Sequence, residues 1–179
     1  MPATYIALLR AVNAGGANTL PSKEFVRLLE GLGILNVRTY IQTGNAVFQA
    51  DEKDPAKLAA KIKAAINKKL GFAPEVILLK SGDLEKAVNS NPFPEAAEDH
   101  KSLHLFFLSS APKSPDIPAI EKCLAQNERF SLKGRVFYFH APDGVGRSKA
   151  FGKVEKSLGV PCTARNWRTA RALLAMALE

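Results

Sequence analysis

The order of predicted elements places this 179-residue chain in the α+β class, as two βαββαβ halves with mainly antiparallel sheets and one further helix at the C-terminal end. Three observations predict it. Short apolar strand runs alternate with amphipathic helical stretches, the same six-element order is met twice, and each half contains a strand pair joined by a short Gly-containing turn of the kind antiparallel neighbours use.

The elements follow in order. "TYIALLRAV" is a nearly continuous apolar run, as expected of a strand covered on both faces. After the loop "NAGGANTL", the stretch "PSKEFVRLLEGLG" sets Phe25, Leu28, Leu29 and Leu32 at helical spacing, with Ser22 as N-cap and Gly33 as stop. "VRTYIQ" and "AVFQA" read as strands around a "TGN" turn. "DPAKLAAKIKAAINKKLG" reads as a helix capped by Asp54, with Pro55 at its first position and Leu58, Ile62 and Ile66 inward. The strand "PEVILLK" completes a first half over residues 1–80. Residues 81–101 hold a short helix, "SGDLEKAVNS", and a proline-rich connector.

The second half covers residues 102–179. "SLHLFFLS" is a strand and "SPDIPAIEKCLAQ" a helix capped near Asp116. "ERFSLKGRVFYFH" is a hairpin turning at Lys133-Gly134, and "SKAFGKVEKSLG" a helix with Phe151, Val154 and Leu158 inward. "VPCTA" is a short last strand before the helix "RNWRTARALLAMALE". There Asn166 suits the N-cap, and Trp167, Ala170, Leu174 and Leu178 share one face, so the tryptophan reads as core. The repeated order is the split-βαβ, ferredoxin-like arrangement.

Bulk properties narrow the function classes. A hydrophobic fraction of 46% with 23% charged residues is that of an ordinary globular chain. No apolar run approaches the roughly 18 residues that a membrane span needs. The opening lacks a charged region ahead of its apolar part, so a cytoplasmic protein without a membrane partner is expected. Two cysteines make no disulfide framework; Cys123, on a helical stripe with Ile117, Ile120 and Leu124, reads as a buried thiol. Three histidines without ligand spacing argue against a metal site. A net charge of +8 suits anionic partners, either a small anionic ligand with or without a phosphate or nucleic acid on a basic surface; a non-catalytic interaction protein is the remaining alternative.

The motifs "YIALLRAVNAGGAN", "LGILNVRTYIQTGNAVF" and "GVGRSKAFGKVEKSLGVPCTARNWRTARALL" together resemble the bacterial family known as domain of unknown function 1697 over nearly the whole chain. Arg10, Asn13, Gly15 and Gly16 match its first motif, Gln42, Gly44 and Asn45 its second, and Arg165, Asn166, Trp167 and Thr169 its last. Thr43 stands where serine is common, and Arg168 where asparagine is more often found. The resemblance implies a bacterial, cytosolic protein of this fold and carries no activity or cofactor with it.

The fold adds an argument of its own. The first two strands of a βαββαβ sheet run the same way, so the first loop and the "TGN" turn lie at one end. Arg10, Asn13, Gly15, Gly16, Asn18, Gln42, Thr43, Gly44 and Asn45 should therefore cluster, as a second polar surface, as one wall of a site shared with the second half, or only as turn residues needing positive φ and loop hydrogen bonds. In the second half, Arg147, Ser148, Lys149, Thr163, Arg165 and Asn166 should gather where two helices begin, a place suited to an anion. "GVGRSK" itself is neither a Walker A loop nor a dinucleotide fingerprint.

Two sharper readings find less support. "KGRVFYFH" departs from the RNA-recognition strand pattern at Arg135 and Val136, and its aromatics are expected to be buried. No nucleophile elbow and no paired acids at catalytic spacing occur, so the sequence identifies no reaction. Cys162 near Arg165 is the one candidate nucleophile.

Overall fold

The computed structural model describes residues 1–179. The chain forms two compact units, Met1–Lys86 with Ala172–Glu179, and Ala87–Arg171. The last eight residues, expected in the second half, thus group with the first unit. There Arg38 on the edge strand donates to the Met176 carbonyl at 2.6 Å and pairs with Glu179.

The first unit contains β1 (Ala3–Leu9), α1 (Ser22–Gly31), β2 (Leu35–Thr39), β3 (Asn45–Ala50), α2 (Pro55–Leu70) and β4 (Val76–Lys80). Its sheet has the order β2-β3-β1-β4, with every neighbouring pair antiparallel. That is the ferredoxin-like order, and it leaves β1 central. Alternation along the strands sends Tyr5, Ala7 and Leu9 with Phe48 and Leu78 onto one face, against Phe25 and Leu29 of α1 and Leu58, Ile62 and Ile66 of α2. Ile6, Leu8, Val47 and Leu79 lie on the other face and are equally buried, which is why β1 reads as an unbroken apolar run.

Local signals set the helix ends. Asp54 accepts from the Ala56 N–H at 2.9 Å, Pro55 occupies the first turn, and Gly71 closes α2 in the left-handed conformation at φ +80°. Ser22 proves to be the first residue of α1 rather than its cap; Pro21 holds that position without a side-chain bond. Leu32, expected inward, falls past the end of α1 and is exposed.

The second unit opens in α3 (Ser81–Asn89) and runs through β5 (Leu103–Leu108), α4 (Ile117–Glu121), β6 (Arg129–Lys133), β7 (Val136–His140), α5 (Val154–Leu158) and β8 (Cys162–Asn166) into α6 (Trp167–Ala177). The order β6-β7-β5-β8, again all antiparallel, repeats the first sheet. The hairpin turn falls on Gly134-Arg135, since Lys133 pairs with Val136. Both helices on this sheet are shorter than their sequence stripes. Pro118 holds the start of α4, and a 3-10 turn over Phe151–Lys153 precedes α5. Cys123 accordingly lies beyond α4 and is half-buried.

One face of this sheet carries Phe106, Leu108, Phe137, Phe139 and Cys162 against Ile120, Val154 and Leu158. On the other face, Tyr138 donates to the Ala87 carbonyl at 2.5 Å and the His140 ring stacks on Phe93, so the connector expected over 81–101 packs on its own sheet. No helix is long and apolar enough to cross a membrane.

Candidate functional site

The two polar clusters differ in what their side chains are free to do. In the first unit, the β1–α1 loop and the β2–β3 turn do meet. Asn13 is the staple: its Nδ2 donates to the Gln42 carbonyl at 2.8 Å and the Leu20 carbonyl at 2.9 Å, while its Oδ1 accepts from the Leu20 N–H at 2.7 Å. Asn45 donates to the Tyr40 carbonyl and to Thr43 Oγ1, and the Leu9 N–H donates to the Gly44 carbonyl at 2.8 Å. Asn18 makes a long bond of 3.4 Å to the Ala11 carbonyl. Gly15 and Gly16 take φ of +60° and +78° at an exposed tip between Ala14 and Ala17.

Backbone strain concentrates here as well. Ala11 and Ile41 sit at φ +57° and +48° without being glycine or asparagine, at a cost of order 1–3 kcal/mol each. Asn13 ties the two loops together, while Asn45 braces the β2–β3 turn and Asn18 the β1–α1 loop internally. Its exposed remainder, Arg10, Gln42 and Thr43, crowns that staple.

The second cluster lies at the sheet edge where β7 and β8 both end. Pairing fixes this: Phe139 and Asn166 stand opposite His104 on either side of β5. Arg147 and Lys149 are exposed in the loop after β7, with no ion pair or hydrogen bond to the protein. Ser148 between them accepts from the Phe151 N–H at 3.1 Å, turning the chain into the 3-10 segment. Asn166 caps α6, its Oδ1 accepting from the Thr169 N–H at 2.9 Å.

Thr163 and Arg165 are placed differently from Asn166. The strand expected to stop at Ala164 continues to Asn166, so these residues belong to β8 and not to a loop. Alternation then points them to the face opposite Cys162, Ala164 and Asn166. Arg165 is 8% exposed and donates to Thr163 Oγ1 at 2.6 Å and the Ala164 carbonyl at 2.9 Å. Burial pulls its guanidinium down to about 10, so it stays charged at neutral pH. The loop that carries Arg147, Ser148 and Lys149 thus leaves β7 at the end of the sheet where β8 reaches Asn166, while Thr163 and Arg165 lie on the opposite face of β8. Cys162 faces the helix-covered core, where its Sγ and N–H both approach Glu155 Oε2.

Two buried nitrogens beside this edge escaped the sequence reading. His104 Nδ1 and Trp167 Nε1 have no hydrogen-bond partner. The His104 ring meets Phe151 edge-on at 5.3 Å, and only the pairing register reveals that it neighbours Asn166. Burial pushes its imidazole down to about 4. A base whose folded value lies below its unfolded value of about 6.5 contributes stability above that pH, and loses it as pH falls toward 4. Unfolding free energy should therefore drop by up to roughly 3 kcal/mol between pH 7 and pH 4 on this account. The His104→Phe variant should show a flatter profile in urea titrations. His140 acts in the same direction, lowered first by burial and then by Arg129.

An open cavity of about 400 Å³ in the first unit, lined by Thr4, Asn36, Arg38, Gln49 and Glu179 among others, contains none of the sequence-predicted residues. No grouping of histidine, cysteine and carboxylate side chains could hold a metal ion.

The family model described as "protein of unknown function (DUF1697)" matches residues 2–138. The chain belongs to that family. Among solved structures, a conserved bacterial protein from Streptococcus pneumoniae superposes with a TM-score of 0.73 at 23% identity, covering 99% of each chain. At that identity the likeness establishes the shared two-sheet fold. No curated protein matches. In this DUF1697 chain the matched residues include the whole first polar cluster, whereas the Arg147–Asn166 edge lies beyond the matched segment.

Proposed function

We propose that the protein binds a small anionic, phosphorylated ligand at the edge formed by Arg147, Ser148, Lys149 and Asn166. The observation that carries this reading is the pair of exposed cations, Arg147 and Lys149, which no carboxylate of the protein neutralises. The start of the 11-residue helix α6 shares the edge and adds free backbone N–H groups and a positive partial charge. Asn166 keeps its amide N–H₂ available beside them, since only its oxygen is used in the cap. Thr163 and Arg165 contribute from behind β8, Arg165 as a buried positive charge. The loops around Asn13–Asn18 and Gln42–Asn45 form a polar surface of the first unit, braced by their own hydrogen bonds.

A sheet-face mode of nucleic-acid binding finds no aromatic platform. Phe137, Tyr138 and Phe139 are at most 1% exposed, so none can stack a base.

The test is a thermal-shift series with inorganic phosphate, sugar phosphates, nucleotides and a short single-stranded oligonucleotide at two salt concentrations. A ligand that binds the native state raises Tm by mass action. A shift from a small phosphorylated compound that survives added salt is the expected result. A shift confined to the oligonucleotide and lost steeply with salt, or no shift with any phosphorylated compound, would refute the reading.

A further inference from the structure

Resting on the anion-site reading above, we infer that the ligand carries a chain of phosphates, as in a nucleoside triphosphate or inorganic tripolyphosphate, and not a single phosphate. The segment from Arg147 to Arg171 contains seven arginines and lysines against one acid, Glu155, which is most of the net charge of the chain. Arg147, Lys149, Lys153, Arg168 and Arg171 are all exposed, and none has an ion pair or hydrogen bond to the protein.

Their placement is as telling as their number. Arg147, Lys149 and Lys153 follow β7; Arg168 and Arg171 follow β8; and β5 lies between the two strands. With neighbouring strands about 4.8 Å apart, the ends of β7 and β8 lie roughly 10 Å from each other, and the two groups sit on the segments that leave those ends. A phosphate monoester carries about −1.5 to −2 charges at pH 7, which two cations satisfy. Five cations in two groups call for several phosphates spread across the edge.

Arg168 and Arg171 sharpen the point. They form the exposed stripe of the first turns of α6, where Trp167 and Ala170 are buried and no acidic residue is present. A cation in the first turn of a helix, as Arg168 is, is repelled by the partial positive charge there, so the free protein gains nothing from it at that position. An oligophosphate bridging from Arg147 and Lys149 to Arg168 and Arg171 turns the repulsion at Arg168 into binding, with guanidinium forks matched to phosphate oxygens.

Titration calorimetry of the full chain with phosphate, tripolyphosphate and ATP tests this, alongside an R168Q/R171Q variant whose ligand-free Tm verifies folding. Tripolyphosphate or ATP should bind the wild type at least about tenfold more tightly than phosphate, and the variant should lose that advantage while holding phosphate as before. Equal affinity for phosphate and tripolyphosphate, or an unaltered advantage in the variant, would overturn the inference and leave a single-phosphate site standing. Absence of binding by all three compounds would defeat the anion-site reading itself, and this inference with it. A short oligonucleotide displacing tripolyphosphate at far lower concentration than ATP does would also overturn it, in favour of nucleic acid.

Discussion

Gly44→Ala is expected to destabilise the protein by about 3–4 kcal/mol, and Gly16→Ala by roughly 1–2 kcal/mol. Both glycines sit at almost the same left-handed φ, +75° and +78°, so both variants carry the conformational cost of an L side chain there, roughly 1–2 kcal/mol. They differ in the room available. A Cβ on Gly16 would meet nothing within 4 Å, whereas one on Gly44 would lie 2.5 Å from Val12 Cγ2 and 2.8 Å from Leu9 Cβ. Neither neighbour can retreat easily. Both are buried, and the Leu9 N–H is tied to the Gly44 carbonyl. Overpacking of this kind adds roughly 1–3 kcal/mol. Urea unfolding of the two variants separates the terms, and equal losses would show that the β1–α1 loop and the β2–β3 turn are not held in close contact.

Trp167→Ala should cost about 3–5 kcal/mol, as for removal of a large buried aromatic. The ring is 5% exposed at the first position of α6, with Ala170, Leu173 and Leu174 buried along the same side. Trp167→Phe should cost much less, about 1 kcal/mol. It keeps most of the apolar area and removes an indole N–H that has no acceptor, a group whose burial is itself unfavourable. Trp167 is the only tryptophan, so circular dichroism rather than fluorescence must follow the transition. A variant alanine protein as stable as wild type would place the ring outside the core.

Much of the fold was legible because its signals are local. Asp54-Pro55 and Gly71 bracket α2 where capping chemistry requires, and the unbroken apolar run of β1 matches a strand buried on both faces. The ends of α1, α4 and α5 were less legible. A helical stripe continues in sequence after the hydrogen bonding has stopped, as Leu32 and Cys123 illustrate. Leu178 is a further case: it fits the stripe of Trp167 but lies past the end of α6 and is exposed.

For the candidate residues, the strand order was legible and the side-chain orientation was not. Strand pairing did bring Asn166 to the edge that the Arg147–Lys149 loop leaves from. "TARN" looks like a loop entering a helix, yet β8 runs through Asn166, and one residue of alternation decides which side of the sheet Arg165 occupies. Asn13 and Asn45 are typical loop residues, but only coordinates reveal that their amides are spent on backbone carbonyls. His104 carried no sequence signal, since one polar residue in an apolar strand looks the same whether or not its ring finds a partner.

The anion-binding account rests most directly on Arg147 and Lys149. The decisive measurement is the Tm shift produced by inorganic phosphate and by ATP in the R147Q/K149Q variant, compared with the wild type at the same ionic strength. Both side chains are exposed and unpaired, so the ligand-free Tm should stay within about a degree or two of wild type, as for surface substitutions. The account predicts that the ligand-induced shift present in the wild type disappears in the variant. A shift retained at full size would contradict it.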